Sequence, residues 1–329
     1  MNSVVDFAPD FSALSRVAGV SPLEEYGRFQ QHLVLLEDRG RVTKYCAAIE
    51  DTPPGNVVVD VGAGTGVLAL LALKKGFGRA ILIEPSRKMA VYARHLAEIN
   101  GLSDRVEILN STLEAVPLNT LPQGIDLIVT ETISSLLFGF GSWDALPALV
   151  GRTRNGSSII PRSGQLFVAA TNRSLATRGP TSDGLSVLSE SGLRVDLFER
   201  TFRSGGNVYD KSVVARLLAN GELAATQLAS FDFRSPEPTK LSHSCVLLGG
   251  GDFEATGLLL FWDIALTPRI TMTNIDPILT SWYPLYVPLT RSLQLPATLE
   301  LCLRAQDAPY TYAFQFMAGG EAVSNVLYW

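Results

Sequence analysis

The chain has 329 residues, three cysteines and a formal net charge of −5, with 47% hydrophobic and 18% charged residues. That length suits two packed domains rather than one small core. The acidic balance disfavours nucleic acid as a partner, since phosphate binding wants a basic stripe. Cys46, Cys245 and Cys302 are too scattered for a disulfide framework or a zinc cluster, and with three histidines no metal site is expected. The opening MNSVVDFAPDF lacks a basic region followed by an apolar run, and no apolar stretch approaches the roughly 20 residues of a bilayer span. No membrane partner and a cytoplasmic, reducing location are the expectation.

Residues 21–50 read as helical, with Ser21-Pro22 as a start signal and Pro53-Pro54-Gly55 as the stop. Val57–Val59 is a short buried strand leading to Asp60. A glycine-rich turn follows, then an apolar helix over Val67–Leu73. Ala80–Ile83 is a second strand ending at Glu84. Ser86–Asn100 is a helix with Met89, Ala93 and Leu96 on one face and Asn100-Gly101 as its stop. Val106–Leu109 and Ile125–Val129 are further strands, and Trp143–Val150 is helical. Strands alternating with helices predict a parallel, doubly wound α/β sheet. After Asn155-Gly156 the pattern changes to short alternating segments: Gln165–Ala170, Ser244–Leu248, Thr256–Ile264, Leu299–Arg304 and Tyr310–Met317. These predict an antiparallel, β-barrel-like domain. Residues 172–230 are harder to place, with a helix near Val213–Leu218.

The run Asp60-Val-Gly62-Ala63-Gly64-Thr-Gly66 carries the chemistry. A strand feeds a glycine turn that opens a helix, and glycines let the backbone approach a ligand closely. Asp60 and Glu84 lie at strand carboxyl ends, the edge where open α/β sheets bind ligands. A nicotinamide dinucleotide site is the alternative, but its GxGxxG spacing needs a small residue at position 67, which is Val.

Asp60–Gly66 is similar to the first motif of class I methyltransferases, and Glu84-Pro85-Ser86 to their second, whose acid holds the ribose hydroxyls of S-adenosylmethionine. Upstream, Tyr26, Phe29, His32, Leu36, Asp38 and Arg41 stand in the spacing of the cofactor-covering helix of protein arginine methyltransferases. Downstream, Ile159-Ile-Pro-Arg-Ser-Gly-Gln-Leu-Phe-Val resembles that family's entry into its β domain. The resemblance implies S-adenosylmethionine as cofactor. Arg41 would grip the cofactor carboxylate, a task suited to a forked guanidinium. Asp60, Gly62, Ala63, Gly64, Gly66, Glu84, Pro85, Ser86, Thr112, Leu113 and Glu131 would complete its shell. It further implies a cofactor cover over residues 1–50, a Rossmann-like domain over 51–158, a β domain over 159–329, and a dimerisation arm near 195–215, hence a homodimer.

Two departures bear on the acceptor. The family carries two glutamates nine residues apart; here the first is Glu131 and the second position is Phe140. The family's Thr-His-Trp loop resembles Thr280-Ser281-Trp282, with serine for histidine. Burying a guanidinium against phenylalanine is costly. The expectation is therefore a small aromatic or amino-acid-derived acceptor, such as an indole, boxed by Phe29, Phe138, Phe140, Trp143 and Trp282, as in natural-product tailoring. Glu131 would stabilise developing positive charge, and His32 or Tyr26 would help remove the proton. The alternatives are a protein arginine methyltransferase with a divergent acidic loop, drawing a second acid from Asp144 or Asp263, and a non-catalytic cofactor-binding scaffold.

Overall fold

The structure, a computed structural model, describes residues 29–133, 136–137, 145–173, 175, 190, 206–208, 210–234, 242–248, 253–305, 312–324 and 327–328. The expected helix over 21–50 is, within these residues, two helices: α1 (Phe29–Glu37) and α2 (Arg39–Asp51). The break has a local cause. Asp38 caps α2, its carboxylate accepting the N–H of Arg41 at 3.0 Å, and carboxylates favour that position.

A five-stranded parallel sheet follows: β1 (Val57–Val61), β2 (Arg79–Ile83), β3 (Val106–Leu109), β4 (Ile125–Thr130) and β5 (Thr153–Ile160), in the order β3-β2-β1-β4-β5. β1 is buried along its whole length, as a strand sandwiched between helical layers must be. The layers include α3 (Val67–Lys75) and α4 (Arg87–Ile99), with Ser86 capping α4 through the N–H of Met89. A short helix α5 (Leu146–Val150) precedes β5. β5 was not anticipated. Its polar middle, Arg154–Gly156, reads as a turn, but the strand needs only one flank, pairing with β4 and lying at the sheet edge.

The chain leaves the parallel sheet through Pro161 and enters antiparallel structure at Ser163. Six strands form one sheet: β6 (Ser163–Thr171), β7 (Gly206–Asn207), β8 (Ala225–Asp232), β10 (Glu254–Ala265), β11 (Thr271–Thr273) and β12 (Leu285–Gln294), with β10 at its centre. The second sheet contains β9 (Ser242–Leu247), β13 (Ala297–Ala305), β14 (Tyr312–Ala318), β15 (Glu321–Ala322) and β16 (Leu327–Tyr328). Among the described residues these strands form two antiparallel sheets, bridged where Leu289 of β12 pairs with Ser324. α6 (Lys211–Ala219), capped by Asp210, packs Val214 and Leu217 against β10 and β12. One continuous apolar core runs from the parallel sheet through Trp262 to β13 and β14. The two layers of different topology are therefore a single packed body, and the site described next lies where they meet.

Candidate active site

β1 and β4 are neighbours, yet the chain runs from β1 to β2 before returning to β4. Their carboxyl ends bracket the switch point at which open sheets bind ligands. Thr130 straps this edge, its hydroxyl donating to the Val61 carbonyl at 3.0 Å and lying 3.1 Å from the Thr132 hydroxyl.

The glycine turn after β1 is left-handed at Gly62, Gly64 and Gly66, with φ of 69°, 55° and 77°. All three glycines are also needed for space. A Cβ on Gly64 would stand 2.7 Å from Cε1 of His32, and one on Gly62 would stand 2.6 Å from Cγ2 of Thr132. His32 of α1 therefore lies directly over the turn, where it was expected near the reacting centre.

Glu84 organises the turn from β2. One carboxylate oxygen accepts the N–H of Gly64 and the other that of Ser86, each at 2.7 Å. Burial raises the carboxyl above its usual range even with both N–H groups opposing it. Each oxygen retains a second lone pair, so the pair is preset for a vicinal diol. Asn110 fixes the same corner, donating to the carbonyls of Glu84 and Pro85 at 2.8 and 3.0 Å. Thr112 and buried Leu113 open a 3₁₀ turn beside this edge.

Asp60, expected in the cofactor shell, is tied within the fold. Its side chain is 1% exposed and accepts the N–H of Ala69 at 3.1 Å, capping the first turn of α3 from inside. Burial, together with the Glu84 charge, pushes its carboxyl up to about 7 against the opposing Ala69 bond. It fixes the start of α3, the helix that the glycine turn opens.

Arg41 and Glu131 form a buried ion pair between Nη1 and Oε2, with side chains 4% and 11% exposed. The guanidinium is anchored on its other side by the Leu35 carbonyl, at 2.9 Å from Nε and 2.6 Å from Nη2. Burial lowers the Arg41 pKa from its ordinary value, and Tyr45 and Asp38 oppose that. A guanidinium has five N–H groups, so further donors remain for an incoming carboxylate.

Asp38 was read only as part of a spacing pattern, yet it is the hub of the site. Beyond capping α2, it accepts the N–H of Thr280 at 2.8 Å and of Ser281 at 2.7 Å. The loop that resembles the family's Thr-His-Trp element is thus tied to the cofactor-cover helix. The other side of that loop is held by buried Lys211, which donates to the carbonyls of Asp276 (3.3 Å) and Leu279 and lies 4.8 Å from the centre of the Tyr283 ring. Burial pushes the Lys211 amine down to about 8, with Asp38 and Asp276 opposing. An acid just before a helical run is a cap signal in sequence; its second set of partners, 242 residues away, leaves no such trace.

Trp282, expected in an aromatic substrate box, packs as a strut. It is 7% exposed, donates its indole N–H to the Ile133 carbonyl at 3.0 Å, and meets Trp262 edge-on with ring centres 5.6 Å apart. It thereby anchors the segment leading away from Glu131. Leu137, fully buried on that segment, sits at φ 73°, a conformation costing about 1–2 kcal/mol for a residue with a Cβ. Such strain clusters at ligand sites. Asp263 is exposed on β10. Tyr26, Phe138, Phe140, Trp143 and Asp144 lie outside the described residues, as does the Phe29 side chain.

Comparison with known proteins agrees with this geometry. Residues 58–144 match a family model described as a methyltransferase domain. The chain is 26% identical over 304 residues to the probable protein arginine N-methyltransferase 3 of Arabidopsis thaliana, covering 84% of this chain and 47% of that protein. It is 25% identical over 288 residues to the arginine N(omega)-methyltransferase of Streptomyces achromogenes subsp. streptozoticus, covering 85% of this chain and 76% of that one. The chain thus contains a region similar to methyltransferase domains, within an overall likeness to arginine methyltransferases. The crystal structure of Arabidopsis thaliana protein arginine methyltransferase 10 shares the fold, with a TM-score of 0.69, 18% identity, and coverage of 93% of this chain and 99% of that one. The match spans less than half of the length of the first plant relative.

S-adenosylmethionine fits the methyltransferase site on local grounds. The glycine turn is a cradle that a Cβ at Gly62 or Gly64 would fill, Glu84 presents two free lone pairs, and Arg41 offers spare N–H groups to a carboxylate. When bound, the cofactor supplies an already electrophilic sulfonium methyl. The chain's own residues therefore need only bind, orient and exclude water.

Proposed function

We propose that this methyltransferase acts on a guanidino nitrogen, of arginine or of an arginine-derived compound. The observation that carries the reading is Glu131, a nearly buried carboxylate at the carboxyl end of β4 beside the switch point. A guanidinium docks on a carboxylate through parallel N–H bonds, which aims one nitrogen. The plant and Streptomyces relatives, both named for arginine methylation, support the same acceptor class. In this reading Arg41 holds the cofactor carboxylate, and His32, which lies over Gly64, takes the proton released as the nitrogen is methylated. A second copy of the chain is the proposed partner, and a cytoplasmic setting is retained.

A specific observation favours a second reading. Glu131 is already paired with Arg41, and Phe140 occupies the position of the family's second glutamate. A cationic acceptor would then enter a site whose acid is already neutralised, and uncompensated buried charge is expensive. A neutral, flat acceptor such as an indole avoids that cost, with Glu131 stabilising charge that develops at its ring N–H.

Transfer of label from S-adenosyl-[methyl-³H]methionine separates the two. The panel is arginine, arginine-rich peptides, indole, tryptophan and tryptophan dipeptides. Label on arginine or its peptides supports the guanidino reading. Label on the indoles alone overturns it in favour of the second. Cofactor binding without transfer to either set removes both and leaves a scaffold role.

A further inference from the structure

We infer that the junction between the parallel and antiparallel sheets holds a second ligand site, built for a small dianion of the phosphate type. A cleft of about 330 Å³ opens there, between the edge strand β5, the end of α2 and the turn after β10. Arg162, Arg234 and Arg269 line it, together with Ser157, Ser158 and Thr267.

The three guanidiniums are not equivalent. Arg269 pairs with Asp51. Arg234 grips Asp232 with two bonds, Nε to Oδ1 at 2.9 Å and Nη2 to Oδ2 at 2.6 Å. The half-buried Arg162 guanidinium shares the field of the Asp232 carboxylate that Arg234 already holds, and no hydrogen bond of its side chain to another described residue accompanies it. Its backbone is fixed on both sides, the N–H donating to the Ala265 carbonyl at 2.7 Å and the carbonyl accepting from Phe233 at 3.0 Å. The guanidinium therefore springs from a rigid point where β6, β8 and β10 meet.

The surrounding groups point the same way. Ser157 and Ser158 are half-buried, and their hydroxyls have no partner among the described residues. Three guanidiniums against the carboxylates of Asp51 and Asp232 leave one positive charge uncompensated in a polar concavity. Half-buried donors of this kind are held by water and can exchange it for a ligand's oxygens. Tetrahedral phosphate oxygens take a guanidinium fork and hydroxyl donors at once. Arg269 and Arg234, with side chains 78% and 46% exposed, keep further N–H groups beyond their carboxylate pairs to offer such a ligand.

The cleft is separate from the methyl-transfer site. Helix α2 joins them: Asp38 and Arg41 stand at its start in one, and Asp51 at its end in the other. Thirteen residues at 1.5 Å per residue place them about 20 Å apart.

The test is a titration of the full chain with inorganic phosphate, against sodium chloride at matched ionic strength, followed by calorimetry and by the thermal midpoint. Wild type should show saturable phosphate binding that chloride does not reproduce. Arg162→Gln should weaken that binding at least tenfold while leaving affinity for S-adenosylmethionine within about twofold. Arg234→Gln is the second variant, should Arg162→Gln fail to fold. Glu84→Ala, which disables the cofactor turn, should keep phosphate binding intact. Non-saturable effects equal to those of chloride, unchanged affinity in the folded arginine variant, or loss of phosphate binding in Glu84→Ala each overturn the proposal; the last would place the ion in the glycine turn instead.

Discussion

The carboxylate of Asp38 accepts the backbone N–H of Ser281 at 2.7 Å, across 243 residues of chain, while its other oxygen caps the helix that carries Arg41. One side chain thus sets the distance between the cofactor-cover helix and the loop from the β domain. Serine at 281 does not leave that loop loose, because the tie runs through backbone N–H groups.

Asp38→Ala removes a helix cap and strands two N–H groups of the Thr280-Ser281 loop. A cap is worth about 1 kcal/mol and an unsatisfied buried donor about 1–3 kcal/mol. With Thr280 exposed and Ser281 half-buried, each stranded N–H costs at the low end, so the expected loss is about 3 kcal/mol in urea unfolding at pH 7, with Asp38→Asn recovering part of it through its single acceptor oxygen. Stability within about 0.5 kcal/mol of wild type in Asp38→Ala would show that the tie carries nothing. Burial alone would raise this carboxyl, but bonds from Arg41, Ser281 and Thr280 outweigh it and hold the pKa below the usual value. A depressed acid contributes stability above its unfolded pKa that disappears as pH falls through the folded one. Stability should therefore fall more steeply with decreasing pH below about 4 in wild type than in Asp38→Asn.

Asp60 has the opposite sign. Its folded pKa is about 7 against 3.8 unfolded, chiefly through burial. Between these values the native state holds a proton that the unfolded chain has released, so stability falls as pH rises from about 4 to 7. Asp60→Asn keeps an acceptor for the Ala69 N–H and removes the titration. Denaturant midpoints at pH 5 and pH 7.5 should differ less in the variant than in wild type; equal slopes in both would mean that Asp60 stays ionised in the fold.

Glu84→Ala should weaken S-adenosylmethionine binding at least tenfold by calorimetry, because both ribose-facing lone pairs go and the Gly64 and Ser86 N–H groups lose their acceptor. Unchanged affinity would detach Glu84 from the cofactor.

Gly64→Ala should also weaken cofactor binding. The substitution strains a left-handed residue by about 1–2 kcal/mol and drives a methyl into the His32 ring. Cofactor affinity equal to wild type would show that the turn and α1 move apart freely.

Glu131→Gln keeps the side-chain volume and removes the charge facing Arg41. Turnover should fall roughly a hundredfold, the range for losing one transition-state stabiliser. Cofactor affinity should hold or tighten, since Arg41 loses its internal competitor for an incoming carboxylate. Weaker cofactor binding with undiminished turnover would reverse the two roles.

Much of this protein is written in local sequence. Val57–Val59 reads as a buried strand because apolar β-branched residues run without interruption, and the glycine turn and Glu84 follow at spacings that backbone geometry alone demands. The caps at Ser86 and Asp210 belong to the same class. What only the tertiary structure decided are the partners. Nothing near Asp60 in the chain says that its carboxylate turns inward to Ala69, nor that Trp282 commits its N–H to Ile133 rather than to a ligand. β5 escaped notice because an edge strand needs only one apolar flank, so its polar residues mimic a turn. Arg41 meets Glu131 because α2 packs on the parallel sheet, and Asp38 meets Ser281 because the β domain joins the same core. Sequence periodicity records which face of an element is buried, but not which distant backbone arrives to use its last hydrogen bond.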